Sequence, residues 1–111
     1  MPRRRERLIH RGDVWDAEIL GAGRHPVVVV TRESAIEVVS SVVCILVTSS
    51  FHGHVAEIEL GRAEGLAHDS AANCDNIFTL PKIVLTKQRG CLGPEKLHFL
   101  DSALGIALGL A

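Results

Sequence analysis

The sequence predicts a mainly β domain, a small curled antiparallel sheet capped by one C-terminal helix. Three observations predict it. Apolar, β-branched runs recur at short intervals (27–30, 42–47, 77–80), each closed by glycine, proline or polar residues. The one sustained apolar pattern of helical spacing, Leu97, Leu100, Leu104, Ala107 and Leu108, stands at the end of the chain. A length of 111 residues with 47% hydrophobic content suits one domain with one sizeable core.

The elements follow in order. Residues 1–10 read as a basic tail and 11–111 as the folded domain. Arg11-Gly12-Asp13 turns into strand one at 14–19, where Trp15, Ala17 and Ile19 alternate with Val14, Asp16 and Glu18; Trp15 is a core residue. A short glycine loop, 20–23, follows; it is not a dinucleotide cradle, because neither GxGxxG nor a helix accompanies it. Strand two runs 25–31, and its unbroken valines say that both faces are covered. Residues 32–37 fit one helical turn, 38–47 a third strand and 54–60 a fourth. Residues 62–76 are small and polar, so strand five is expected only at 77–80, resuming at 83–85, with Pro81 demanding an edge or a bulge. Gln88-Arg89-Gly90 reads as a turn. Pro94 and Glu95 open the helix, which runs to about Gly109.

Net charge is −1, yet Arg3, Arg4, Arg5, Arg7 and Arg11 face only Glu6 in the first eleven residues, leaving an acidic body. The tail is either a solvated terminus or a phosphate-attracting arm. The acidic body excludes a general nucleic-acid coat, and four aromatics without an array exclude a base-stacking platform. Cys44, Cys74 and Cys91 are dispersed, with no CxxC, so reduced thiols and a cytoplasmic location are expected. Neither a secretory signal nor a membrane-length apolar run is present, and no membrane association is expected. His52 and His54, two apart, would share a strand face; with no third ligand in view they read as an exposed strand face, and no metal site or cofactor is expected.

Two strand ends concentrate polar chemistry. Gly23-Arg24-His25-Pro26 delivers a cation and an imidazole to the mouth of strand two, and strand three ends in Thr48-Ser49-Ser50. These ends are expected to face each other and form the site. Arginine suits charge stabilisation on phosphate. An imidazole exchanges protons near neutral pH. Ser49, Ser50 and Asn76 offer neutral donors that read phosphate or unpaired base edges.

The chain resembles the MazF/PemK family of toxin endoribonucleases over roughly residues 11–110. The resemblance is carried by Arg11-Gly12-Asp13-Val14-Trp15, by 24–30, by Val47-Thr48-Ser49, by Asp69-Ser70, Asp75-Asn76-Ile77, Thr79-Leu80 and Lys82, and by Gly90-Cys91-Leu92 with the closing helix. It implies an SH3-like barrel forming a homodimer. It also implies metal-independent, sequence-specific cleavage of single-stranded RNA by 2′-hydroxyl attack, leaving 2′,3′-cyclic phosphate and 5′-hydroxyl ends, and a cognate antitoxin as partner. Thr48 matches the family's active-site threonine, and Asp75 and Asn76 match a pair lining its RNA groove. The family's catalytic arginine directly precedes the proline; here His25 holds that slot and Arg24 stands one residue earlier. Because strand neighbours point to opposite faces, either the turn bends so that Arg24 reaches the phosphate or His25 takes over part of the role. The loop at 20–23 is shorter than in the family, and Pro81 and Val84 replace an Asp and an Arg. The alternatives are a non-catalytic poison of the CcdB-like, gyrase-binding kind and a degenerate member that only binds antitoxin.

Overall fold

The computed structural model describes residues 8–110. Arg3, Arg4, Arg5 and Arg7 of the basic tail lie outside the described residues. Six strands form one sheet: β1 (Asp13–Ile19), β2 (Gly23–Val29), β3 (Ser41–Thr48), β4 (Glu57–Leu60), β5 (Ser70–Pro81) and β6 (Leu85–Cys91). A single helical turn, α1 (Glu33–Ile36), joins β2 to β3, and α2 (Pro94–Ala107) ends the fold. The sheet order is β4-β5-β3-β2-β1-β6, and every neighbouring pair is antiparallel.

The valine run explains the layering. Val27, Val28 and Val29 are all fully buried although neighbours point to opposite faces, so the sheet is covered on both sides. Val28 joins Val14, Ile45, Ile58, Leu60 and Leu100 in the larger core, under α2. Val27 and Val29 join Trp15, Ala17, Cys44, Leu80 and Leu85 in the second. Ile9 belongs to this second core, so packing begins before Arg11.

Beyond shifts of one or two residues at element ends, such as β2 at Gly23–Val29 rather than 25–31, four boundaries differ from the sequence reading. Residues 38–40 do not start β3; the amides of Val38 and Val39 bond back to Ala35, extending the α1 turn and leaving Val38 exposed. Residues 54–56 form a turn closed by Glu57 N–H to the His54 carbonyl (3.0 Å), so β4 starts only at Glu57. β5 begins at Ser70, because its small residues are laddered on both sides, Ala72 to Ile58 and to Val47. Residues 88–90 are strand, not turn: β6 pairs with β1 at the sheet edge, where polar side chains remain in solvent. Pro81 ends β5 where only β3 ladders it, since β4 pairs only with residues 70–73, so the proline stands at the free edge the sequence demands.

The first described residues are tied to α1. The His10 imidazole (Nδ1) lies 2.8 Å from Glu33 Oε2, and the Arg11 N–H donates to Glu33 Oε1 at 2.9 Å. The hydrogen bond and charge of Glu33 raise the His10 pKa above its ordinary 6.5. A raised histidine stabilises fully below its unfolded value and loses that contribution as pH rises through its folded value. An NMR titration of His10 is therefore expected to show a midpoint above 6.5, falling back in Glu33→Gln. The stability gap between the two proteins should be full below about pH 6.5 and narrow as pH rises above it. An unshifted wild-type midpoint refutes the coupling.

Candidate active site

The site grows from the β1–β2 hairpin. Three residues, 20–22, close it, with Gly21 at φ +82 and Ala22 N–H bonded to the Ile19 carbonyl. The register then runs without slip from Ile19↔Gly23 to Val14↔Val28. The register therefore carries no bulge that would turn Arg24 onto the face of His25. With no local bulge, Arg24 stands opposite Glu18 and His25 opposite Ala17, on different faces of the sheet.

Arg24 lies on the face of Asp16 and Val28, opposite to that of His25. Its Nε donates to Glu18 Oε2 at 2.8 Å, and this bond with the carboxylate charge raises the guanidinium pKa further. His25 occupies Thr48's face. The β2–β3 register ends at Val27↔Leu46, and two residues further along it His25 is level with Thr48. Both line one cleft of about 400 Å³, together with Pro26, Ser49, His68 and Ser70. His25 Nε2 contacts the Ala22 carbonyl at 2.9 Å. A carbonyl only accepts, so in the neutral ring Nε2 carries the proton and Nδ1 keeps its lone pair. Thr48 Oγ1 reaches the Ser50 carbonyl at 3.3 Å, which curls the end of β3.

The fold also brings in residues that the sequence reading set aside. His68, in the polar stretch 62–76, lines the cleft with His25 and Thr48, its Nδ1 donating to the Asp69 carbonyl at 3.1 Å. Ser70 opens β5, is buried, and donates from Oγ to the His68 carbonyl at 3.0 Å, bracing that wall.

Arg89 was read as a turn residue. Between Val14↔Gly90 and Trp15↔Gln88 the β1–β6 register shifts by one, and Arg89 is the extra residue. Such a bulge re-aims a side chain. Arg89 Nη1 thereby reaches Asp16 Oδ2 at 3.1 Å. Asp16 is only 5% exposed, and a buried carboxylate left unpaired is expensive, so the pair is required by the fold. Arg24, Asp16 and Arg89 line a second depression, which shares Pro26, His68 and Ser70 with the cleft. The polar ridge thus carries imidazoles and hydroxyls on one side and two guanidinium groups on the other.

Ser50 is exposed just beyond the cleft. Asp75 and Asn76 lie further off, exposed where β5 inserts extra residues between Ala72↔Val47 and Ile77↔Ile45. Asn73 Oδ1 accepts the Asp75 N–H at 3.0 Å and supports that bulge. Neither residue lines the His25–Thr48 cleft.

Comparison with known proteins places these features in a family. The profile of the PemK-like, MazF-like toxins of type II toxin–antitoxin systems matches residues 10–108. The probable endoribonuclease MazF2 of Mycobacterium tuberculosis is 35% identical over 102 residues, covering 91% of this chain and 99% of the relative. The solved M. tuberculosis toxin MazF-mt6 superposes with a TM-score of 0.82 at 27% identity, over 89% of this chain and 98% of that one. A mycobacterial endoribonuclease in complex with its cognate antitoxin superposes with a TM-score of 0.85 at 28% identity, over 94% and 98%. The six-stranded curled sheet with its C-terminal helix is the architecture of these structures, and the chain belongs to the PemK-like, MazF-like toxin family.

Proposed function

We propose that this toxin is an endoribonuclease that cuts single-stranded RNA, at a preferred short sequence and without a catalytic metal ion, using His25 where its relatives' motif has arginine. One observation carries the reading: His25 and Thr48 share a cleft, while the adjacent guanidinium of Arg24 is turned to the other face. Attack by the 2′-hydroxyl forms the 2′-O–P bond and breaks the bond to the 5′-oxygen. His25 Nδ1 accepts the 2′-proton, and protonated His68 delivers one to the departing 5′-oxygen. Thr48 and Ser49 donate to the nonbridging oxygens. Arg24 and Arg89 hold the neighbouring phosphates from the flank. Ser50, Asp75 and Asn76 are left for bases further along the strand.

The test is incubation with single-stranded RNA in EDTA, followed by analysis of the new ends. The expected products carry 2′,3′-cyclic phosphate and 5′-hydroxyl groups. Intact RNA favours a binding-only member of the family, and 5′-phosphate ends exclude the 2′-hydroxyl route.

The partners of the proposal are a cognate antitoxin and a second copy of the chain, in the cytoplasm. A solved relative in complex with its antitoxin supports the first. Phe51, Val55, Phe99 and Ile106 line one depression and are all exposed in the single chain, which supports a covered face. Among the described residues no helix is long and apolar enough to cross a membrane. Sedimentation at micromolar concentration is expected to give twice the mass of one chain; a monomer there refutes the homodimer.

A further inference from the structure

The loop that leaves Thr48 contains a second constellation, separate from the cleavage cleft. His52 and His54 do not share a strand; they lie in the loop before β4, with their rings stacked at 5.7 Å and 30°. The fold adds the third group that their spacing alone does not reveal. Glu57, the first residue of β4, points back into the loop with its side chain only 6% exposed. Its Oε1 accepts the backbone N–H groups of His52 (2.9 Å) and His54 (3.2 Å). Its Oε2 is left facing His52 Nδ1 at 3.5 Å. Burial pushes the Glu57 carboxyl pKa up, but the two backbone bonds and the His52 ring outweigh it and hold the group below the usual carboxylate value.

We infer that His52, His54 and Glu57 form a zinc site that staples the β3–β4 loop. Among the described residues they are the one group of three whose candidate ligand atoms all lie within 4.8 Å of one another. Tetrahedral zinc with N and O ligands at about 2.0–2.2 Å has edges of roughly 3.4 Å. The His52–Glu57 edge, at 3.5 Å, already has that length, and the other two edges, within 4.8 Å, are left for rotation of the exposed His54 ring to close. The carboxylate is preorganised in the way metal ligands are: one oxygen is fixed by outer hydrogen bonds while the other remains available. Two imidazoles and a carboxylate are borderline donors suited to zinc, and the exposure of both histidines leaves the fourth position to water. On binding, the ion replaces the long His52–Glu57 contact with two bonds and joins both ends of the 52–57 segment. None of the three residues lines the cleft of His25 and Thr48, so the site stands independently of the cleavage chemistry.

The test uses the tag-free full chain and zinc ion alone, titrated against a chromogenic zinc chelator at about pH 7.5, where imidazoles are mostly neutral. The expected result is one saturable zinc per chain, with the ring signals of His52 and His54 moving in NMR spectra. His54→Ala and Glu57→Gln are each expected to weaken binding at least tenfold, while His98→Ala leaves it unchanged. Glu57→Gln keeps the oxygen that accepts the loop amides, so its loss of affinity reports the ligand rather than a collapsed loop; an unchanged melting temperature without zinc checks this. Absence of saturable binding, an unaltered isotherm in both variants, or a dependence on His25 or His68 instead overturns the proposal. Cleavage in EDTA is expected to persist, so failure of the zinc site and failure of the nuclease reading show up in different assays.

Discussion

His25→Ala is expected to lower kcat/KM on single-stranded RNA by a factor of about 10² to 10⁴, the usual range for losing a general acid or base. Arg24→Ala should cost much less. The inequality follows from register: an unslipped β1–β2 ladder puts only one of the two neighbours on Thr48's face, and that one is His25. Arg24, tied to Glu18 and largely in solvent, contributes attraction for phosphate that salt screens. Its loss is therefore expected mainly in KM and chiefly at low ionic strength. The pH profile distinguishes base from bystander. With His25 as base and His68 as acid, wild-type kcat/KM falls on both an acidic and an alkaline limb. Removing His25 should abolish the rise on the acidic limb, whereas His68→Ala should abolish the fall on the alkaline limb. Should Arg24→Ala be the inactive protein and His25→Ala the active one, the shifted arginine performs the family's role and the histidine assignment is wrong.

That comparison rests on a feature only partly visible in the sequence. The strand mouth at 23–26, the hydroxyls ending β3 and the helix opened by Pro94 were legible, because valine runs, hydroxyl clusters and an N-terminal proline act locally. Whether Arg24 or His25 faces Thr48 was not, since it depends on the absence of a slip across a hairpin. His68 and Ser70 were lost for a related reason. The stretch 62–76 carries no hydrophobic alternation, yet its second half is strand because β4 and β3 ladder it from both sides. Small residues are what a strand between two close neighbours and a packed helix can hold. Arg89 was hidden in a polar edge strand that reads like a turn. Its partner Asp16 gave no sign either, because an Asp alternating with Trp15 and Ala17 reads as a solvent-facing residue until the fold buries it. The third member of the His52/His54 group was equally out of reach, because Glu57 turns back only after the loop has closed.

The second large effect lies where the sheet's two edges meet. After β4, the 3-10 turn Arg62–Glu64 ends at Gly65, which sits against β6. A Cβ on Gly65 would lie 2.0 Å from the Arg89 carbonyl oxygen, and one on Gly90 would lie 2.4 Å from the Glu64 carbonyl oxygen. Both obstacles are backbone, so neither can rotate away. Gly65 also has φ +91, a conformation that costs a residue with a side chain. Strain of about 1–3 kcal/mol and overpacking of about 1–3 kcal/mol together make Gly65→Ala worth roughly 3 kcal/mol or more. A domain of ordinary stability has only about 5–15 kcal/mol to lose. Gly90→Ala meets the overlap without the strained φ and should cost less. Gly61→Ala is the control: its φ is −167 and the nearest atom to an added Cβ is Asp69 Oδ1, at 3.6 Å, so little should change. Urea unfolding measures all three. The double variant Gly65→Ala/Gly90→Ala should cost less than the sum, because either methyl alone already forces the same two backbones apart. The effect also reaches the site. Arg89 precedes Gly90 and owes its aim to the bulge there, so moving β6 away draws the guanidinium off Asp16. Gly90→Ala should therefore weaken RNA binding under conditions where the protein is still folded. A loss below about 1 kcal/mol for Gly65→Ala would mean that this backbone crossing does not close the barrel.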